Sequence, residues 1–256
     1  MNGSSRLVLS WLISLFLLAG CGLLPEQIDE TKDWSAQRLY SEAKDALTSG
    51  SYERAIDLYQ KIEARYPFGR FAQQALLEEG YAYYKSGEPD SALATLDRFL
   101  KTYPNHPHTD YALYLKGVVN FNRGHSFIDV ILPQDPSERD PGAARQSFGD
   151  FKELLQRFPD SPYAKDARQR MLFLRNNLAR HEVHVAEFYI RRGAWVAAAG
   201  RAKEVIAHYQ GTPAVPDALE ILIDAYRRLG LDDLARDALR VLQRNYPQRA
   251  ARLRHS

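Results

Sequence analysis

Along this chain, small and large apolar residues return at fixed distances before an aromatic–proline pair. Counting back from Pro67, Ile62 stands at five residues, Tyr59 at eight, Ala55 at twelve and Ala43 at twenty-four. The same offsets from Pro104 reach Phe99, Leu96, Ala92 and Gly80, and from Pro247 they reach Leu242, Leu239, Ala235 and Ile223. The pair recurs as Tyr66-Pro67, Tyr103-Pro104, Phe158-Pro159 and Tyr246-Pro247. A proline-less copy, Tyr209-Gln210, gives Val205, Ala202, Ala198 and Ala186. The interval is 37 residues from Pro67 to Pro104 and again from Gln210 to Pro247. Spacings of three and four residues lie on one helix face, so each period predicts an antiparallel helix pair. A small residue in each helix lets the backbones approach, and the large ones fill the seam. Gly50, Gly87, Gly193 and Gly230 fall where the turn between the helices must be and predict left-handed helix ends. Pro162 and Pro216 suit the first turn of a following helix, where a missing N–H is harmless. No alternating run is long enough for a sheet.

The period resembles the tetratricopeptide repeat, whose helix pairs stack into a superhelix with a concave groove. The expected fold is all-α: about five repeats and roughly ten helices. Two departures from the period are informative. Pro104 and Pro159 are 55 residues apart, 18 more than one repeat. Gly117 fits the first helix of repeat 3, and Ser147, Phe151 and Leu154 fit its second, so the surplus falls at about 122–142. That insertion holds an apolar burst, Phe127-Ile128-Asp129-Val130-Ile131-Leu132, then the charged Asp135-Pro136-Ser137-Glu138-Arg139-Asp140-Pro141. A loop of this length in a compact solenoid is functional or disordered, and the apolar burst favours packing back against the groove. From Pro159 to Gln210 the spacing is 51, or 14 extra residues. No glycine or proline occurs from Tyr163 to Arg192, which predicts one long helix, or two abutting ones, opening repeat 4.

The first twenty residues read as an address. Arg6 precedes an apolar run from Leu7 to Leu18, the length of a signal-peptide core and short of the roughly 20 residues of a membrane span. The run ends in Leu18-Ala19-Gly20-Cys21, which resembles the bacterial lipobox, and Cys21 is the only cysteine in the chain. Residues 1–20 are therefore expected to be a lipoprotein signal peptide, with covalent lipid on Cys21. Two or three acyl chains anchor stably where one anchors marginally. Gly22 stands where an aspartate would resemble an inner-membrane retention signal, and by that resemblance the protein is bound for the outer membrane, facing the periplasm. Residues 21–33, with Pro25, read as a lipidated tether. Residues 34–159 hold repeats 1–3, and 160–256 hold repeats 4–5 and a basic tail with Arg249, Arg252 and Arg254.

A single cysteine excludes a disulfide framework or a thiol-rich metal site. The formal charge of +2 over 256 residues gives no basic stripe of the kind nucleic acid requires. No catalytic constellation is present. His181-Glu182-Val183-His184 places its histidines three apart, not the four of a zinc-protease helix, and reads as a surface pair. The acids of 135–140 lack the glycine and the oxygen spacing of a calcium loop. No metal, cofactor or enzymatic activity is expected.

Aromatic residues are abundant, with 15 Tyr, 11 Phe and 3 Trp. Most of them, including Tyr81, Tyr83 and Tyr84, read as inter-helix packing. Tyr66 and Phe68 differ, because only the first copy of the pair extends into Phe68-Gly69 and stands at a repeat junction. With Arg54 nearby they would suit an extended peptide ending in an aromatic residue and a carboxylate, which arginine engages at two points. The other reading is that Tyr66 only closes its repeat, as Tyr103 and Tyr246 close theirs.

Several runs carry a more specific resemblance: Arg65-Tyr66-Pro67-Phe68-Gly69, Tyr81-Ala82-Tyr83-Tyr84-Lys85, Asp97-Arg98-Phe99, His106-Pro107 with Asp110-Tyr111, and Ser137 to Pro141. Val185-Ala186-Glu187 and Arg192-Gly193-Ala194-Trp195-Val196-Ala197 extend it. Together they resemble the BamD family of outer-membrane assembly lipoproteins, from the lipobox to about residue 240. The resemblance implies a non-enzymatic scaffold of the machinery that inserts β-barrel proteins into the outer membrane. Its implied partners are a BamA-like barrel subunit, BamC-like and BamE-like lipoproteins, and unfolded outer-membrane clients. It places client C-terminal signals on the front repeats, at Arg54, Tyr66 and Gly69, with Phe68 beside them. It places docking of the barrel subunit on the face that follows Trp195, with Arg201 as the leading residue. A repeat lipoprotein serving cell-wall or division complexes is the alternative compatible with the anchor and the repeats.

Overall fold

The computed structural model describes residues 29–123, 137 and 141–253. The expected signal peptide, Cys21, most of the tether, the apolar burst at 127–132 and Arg254 lie outside the described residues. Eleven helices and no strand are present among those described. In chain order they are α1 (Ala36–Thr48), α2 (Tyr52–Arg65), α3 (Arg70–Ser86), α4 (Pro89–Thr102), α5 (Thr109–Asn122) and α6 (Gly142–Arg157). There follow α7 (Ala164–Arg191), α8 (Trp195–His208), α9 (Val215–Arg228), α10 (Asp232–Asn245) and the short α11 (Pro247–Arg252). They pair as α1α2, α3α4, α5α6, α7α8 and α9α10, five helix–turn–helix repeats of the tetratricopeptide kind. Each helix packs on its sequence neighbours.

The periodic positions become the core. With Gly117 as the first-helix position of repeat 3, every one of them is buried in all five repeats, except that Leu239 is half-buried. Tyr59, Phe99, Phe151 and Leu242 are fully enclosed. In repeat 3 the small positions meet tightly. A Cβ on Gly117 would lie 2.4 Å from the Phe151 ring, so only glycine admits that side chain. Ser147, fully buried, donates its hydroxyl to the Gly117 carbonyl at 2.8 Å.

The repeats close in one way. Tyr66, Tyr103, Phe158, Tyr209 and Tyr246 all end a helix at φ between −121° and −137° with ψ between 37° and 67°. Each N–H reaches the carbonyl four residues back: Ile62, Phe99, Leu154, Val205 and Leu242 respectively. A following proline disfavours helical backbone at the residue before it, yet Tyr209 adopts the same state before Gln210. The aromatic ring and its packing suffice. The four turn glycines all have φ between 69° and 84°, as the helix ends require. Pro216 opens α9 as expected. Pro162 does not open α7, because that helix begins at Ala164 with Tyr163 as its cap and leaves Pro162 in the turn before it.

The long-helix expectation resolves into a single helix. α7 runs 28 residues, about 42 Å at 1.5 Å per residue. Its first half packs Ala167 and Leu174 into a core with Leu113, Phe151 and Leu154. Its second half packs Ala179 and Val183 into the core of the last two repeats.

Candidate functional site

Four places hold the residues singled out by the sequence or lie beside them. At the front, α2 carries Arg54, Asp57, Leu58 and Lys61 on one face, at helical spacings that put them in a row. Facing them, Asp29, Glu30, Thr31 and Trp34 complete a cleft of ≈ 550 Å³, whose three carboxylates outnumber its two cations. Lys61 is matched by Asp57 at 2.8 Å and Asp29 at 3.5 Å. Arg54 is less committed: its ion pair to Glu42 is 3.9 Å long and its side chain is 64% exposed. A carboxylate entering the cleft would meet a guanidinium whose donors are largely open. Trp34 and Lys61 were missed from the sequence, although the i, i+3, i+4, i+7 row beginning at Arg54 was there to be read.

Tyr66 is joined to this cleft through its hydroxyl, which donates to the Trp34 carbonyl at 2.8 Å. Its ring is half-buried against the first core cluster. Arg65 beside it binds Asp29 and the Thr31 carbonyl and hydroxyl, pinning the start of the described chain to the end of α2. The Thr31 hydroxyl, together with these cations, holds the Asp29 carboxyl below the usual carboxylate range. Phe68 and Gly69 do not line the cleft. Phe68 is 90% exposed. Gly69 has φ 100° and ψ −178°, a conformation open only to glycine, and no atom crowds the place of a Cβ. Its backbone demands glycine there. Arg54, near the start of α2, and Tyr66, its C-terminal cap, stand twelve residues apart, about 18 Å along the helix axis.

A second cleft, of ≈ 310 Å³, opens among the first helices of the repeats. Lys44, Leu77, Tyr81 and Tyr111, with Tyr163 just before α7, line it. Glu78 in its wall accepts from the Tyr40 hydroxyl at 2.8 Å, Lys44 at 3.1 Å and Tyr59, which fixes the groove's floor. Burial pushes the Tyr111 hydroxyl well above its ordinary range, so it stays a neutral donor. Tyr81 thus faces a cleft, whereas Tyr83 and Tyr84 are engaged by Gln60 and Asn122 as inter-helix packing predicts.

At the back, Trp195 opens α8 half-buried against the core of repeats 4 and 5, with Arg228 5.4 Å above its ring. Val196 beside it is 72% exposed, and Ala197 and Gly200 are exposed too. Arg201 is not a free surface arginine. Its Nη1 donates to Glu182 Oε2 at 3.0 Å, while Arg145 Nη2 reaches Oε1 of the same carboxylate at 3.2 Å. Glu182 is only 3% exposed, so one buried carboxylate ties α6, α7 and α8 together. Arg201 nevertheless keeps 46% of its side chain open to solvent.

The histidine pair, expected on the surface, has a partner. His181 Nδ1 lies 2.8 Å from the Ser137 carbonyl, and the Ser137 hydroxyl lies 3.3 Å from His184 Nδ1. Ser137 is itself buried, so this point of the insertion sits on α7. Among the described residues, no group of three or more His, Cys, Asp or Glu could hold a metal, and no helix is long and apolar enough to cross a membrane.

Among known proteins, the YfiO family, described as outer membrane lipoprotein, matches residues 32–242. The outer membrane protein assembly factor BamD of Neisseria meningitidis serogroup B is 47% identical over 236 residues, covering 92% of this chain and 88% of the relative. That of Vibrio cholerae is 40% identical over 237 residues, covering 93% and 97%. That of Haemophilus influenzae is 33% identical, covering 90% and 86%. These relatives are named as assembly factors, and none as an enzyme. On a family match spanning residues 32–242, with such relatives covering about nine-tenths of its length, this chain belongs to the BamD (YfiO) family of outer membrane lipoproteins.

Proposed function

We propose that this chain is a lipid-anchored, non-enzymatic scaffold for outer-membrane β-barrel assembly, holding client peptides at the front and the barrel subunit at the back. The anchor is covalent lipid on Cys21, and the body faces the periplasm. The observation that carries the reading is the separation, along one solenoid, of two arginines that keep about half or more of their side chains exposed. Arg54 lies in the front cleft and Arg201 on α8 at its seam with α7, and the continuous helix α7 stands between the two halves.

The client ligand is an extended peptide bearing a carboxylate. Spanning the 18 Å or so from Arg54 to Tyr66 takes about five or six extended residues at roughly 3.3 Å each. A terminal carboxylate would pair with Arg54 in two-point fashion, and aromatic side chains would lie along Trp34 and the exposed edge of Tyr66. Gly69 contributes by fixing the turn that follows Tyr66. Photo-crosslinkers at Arg54 and Tyr66 should capture a client C-terminal peptide. Labelling confined to the back repeats would remove the front cleft from the reading.

The barrel subunit, of the BamA-like kind, docks on Trp195, Val196, Gly200 and Arg201. BamC-like and BamE-like lipoproteins complete the assembly. Because Arg201 also neutralises buried Glu182, an acidic replacement would place like charges together and confuse docking with stability. Arg201→Gln keeps a donor toward Glu182 and removes the charge offered outward. Its expected effect is loss of co-purification with the barrel subunit at an unchanged helical signal. Undiminished co-purification would exclude Arg201 from the interface. Holding both partners on one body raises their mutual effective concentration to the millimolar range typical of short linkages, without any new contact between them.

A further inference from the structure

We propose that the turn Pro67-Phe68-Gly69 is a membrane-contacting knob, with the Phe68 ring entering the interfacial layer of the bilayer that carries the lipid on Cys21. The proposal rests on the anchor reading above and adds the face of the body that meets the membrane.

Phe68 is the most exposed large apolar side chain among the described residues, at 90%. It also sits on a turn anchored on its preceding side. Pro67 fixes its own φ, Gly69 adopts a conformation reserved to glycine, and the Tyr66 hydroxyl bonds the Trp34 carbonyl on the preceding side. A mobile aromatic side chain would lose entropy on insertion. One on a fixed turn loses little beyond its own rotamers. Arg70, exposed and stacked 4.8 Å from Phe71, follows at once and offers a guanidinium at headgroup depth.

The tether selects the bilayer as occupant. Asp29 and Thr31 are clamped by Arg65, the last residue of α2, with Lys61 also 3.5 Å from Asp29. The chain therefore joins the body at the same end of α2 as the knob. Phe68 is three residues from Arg65, within about 11 Å of its backbone. Between Cys21 and Asp29 lie eight residue steps, a reach of at most about 28 Å. Lipid on Cys21 thus keeps this end of the body near the membrane, and the knob is the apolar group at that end. Val196, the next most exposed, lies in the back half with no such tether.

The test uses the full lipidated chain in vesicles of phosphatidylethanolamine and phosphatidylglycerol. With Cys21 acylated, Phe68→Cys supplies a single free thiol for an environment-sensitive fluorophore, and Val196→Cys supplies the control. The label at 68 should shift to the blue and lose emission to nitroxide-bearing lipids, while the label at 196 does neither. Phe68→Ala, at an exposed position, should fold normally and speed transfer of the protein between vesicles by on the order of tenfold. A water-like, unquenched label at 68 on protein whose intact mass confirms acylation overturns the knob and leaves the anchor standing. A mass without acyl chains overturns the anchor reading itself.

Discussion

Among the described residues each half of the solenoid buries one glutamate, and the two are handled in opposite ways. Glu79 on α3, 2% exposed, receives Arg98 at 3.1 Å and Gln60 at 3.0 Å, but Arg98 is shared with a second carboxylate, Glu63. Glu182 on α7, 3% exposed, has two arginines to itself. In both halves the arginine arrives from the second helix of the same repeat, 19 residues along the chain. The difference is charge count. Burial, reinforced by the Glu63 carboxylate, pushes the Glu79 carboxyl up to about 7. The front seam can therefore change its protonation near neutral pH, whereas the back seam is a two-arginine clamp next to the proposed docking face. A buried ion pair costs desolvation, and breaking one side of it is expensive.

The largest effect should come from dismantling the clamp. Glu182→Ala removes two charge-assisted hydrogen bonds and the one carboxylate joining α6, α7 and α8, and denaturant unfolding should register a loss of roughly 3 kcal/mol. If the loss stays below about 1 kcal/mol, the two seams do not differ as argued. Next comes pH. Because the folded Glu79 holds its proton up to about 7 and the unfolded group releases it near 4.5, stability should fall as pH rises through that window and level off above it. At about 1.36 kcal/mol per pKa unit the swing is on the order of 3 kcal/mol. Glu79→Gln should flatten this slope in thermal melts, and a slope that survives would move its source elsewhere. Third, Gly117→Ala should drive its methyl into Phe151 and cost about 2 kcal/mol, the usual scale of overpacking. The same change at Gly149, where no atom lies within 4 Å, should be neutral or slightly stabilising. The smallest effect on stability belongs to Arg54→Ala, under about 0.5 kcal/mol for an exposed, long ion pair. Client-peptide affinity should nevertheless drop, and a binding titration beside the melt separates the two quantities.

The repeat was legible because its signal is local. Small and large residues at offsets within one helix pair decide who meets whom, and Ala55, Tyr59 and Ile62 are buried where their spacing puts them. Leu239, at the same offset, is half-buried and packs against the core of repeats 4 and 5. The helix ends were equally legible, since Gly87 and Gly193 need no distant partner to adopt φ above zero. What could not be read depends on how three helices come together. Nothing in the neighbourhood of Glu182 announces that Arg145, 37 residues earlier, will share it with Arg201. The histidine pair looked solvated for the same reason, as its partner Ser137 comes from the insertion. The front site was half legible. Arg54 and Tyr66 both touch the structure around Trp34, but Phe68, grouped with them by its place in the sequence, is exposed and does not line the cleft.

Helix α7 has a further consequence. Tyr163 before its first turn stacks on Tyr114 at 4.7 Å, its Asp166 accepts from the Tyr114 hydroxyl at 2.8 Å, and its last turns belong to the core of repeats 4 and 5. A rod of about 42 Å seated in two cores converts small rotations into useful displacements. A tilt of about 3° at the α8 end would shift the Tyr163 end by about 2 Å. One helix thus borders both the tyrosine-lined groove and the core of repeats 4 and 5.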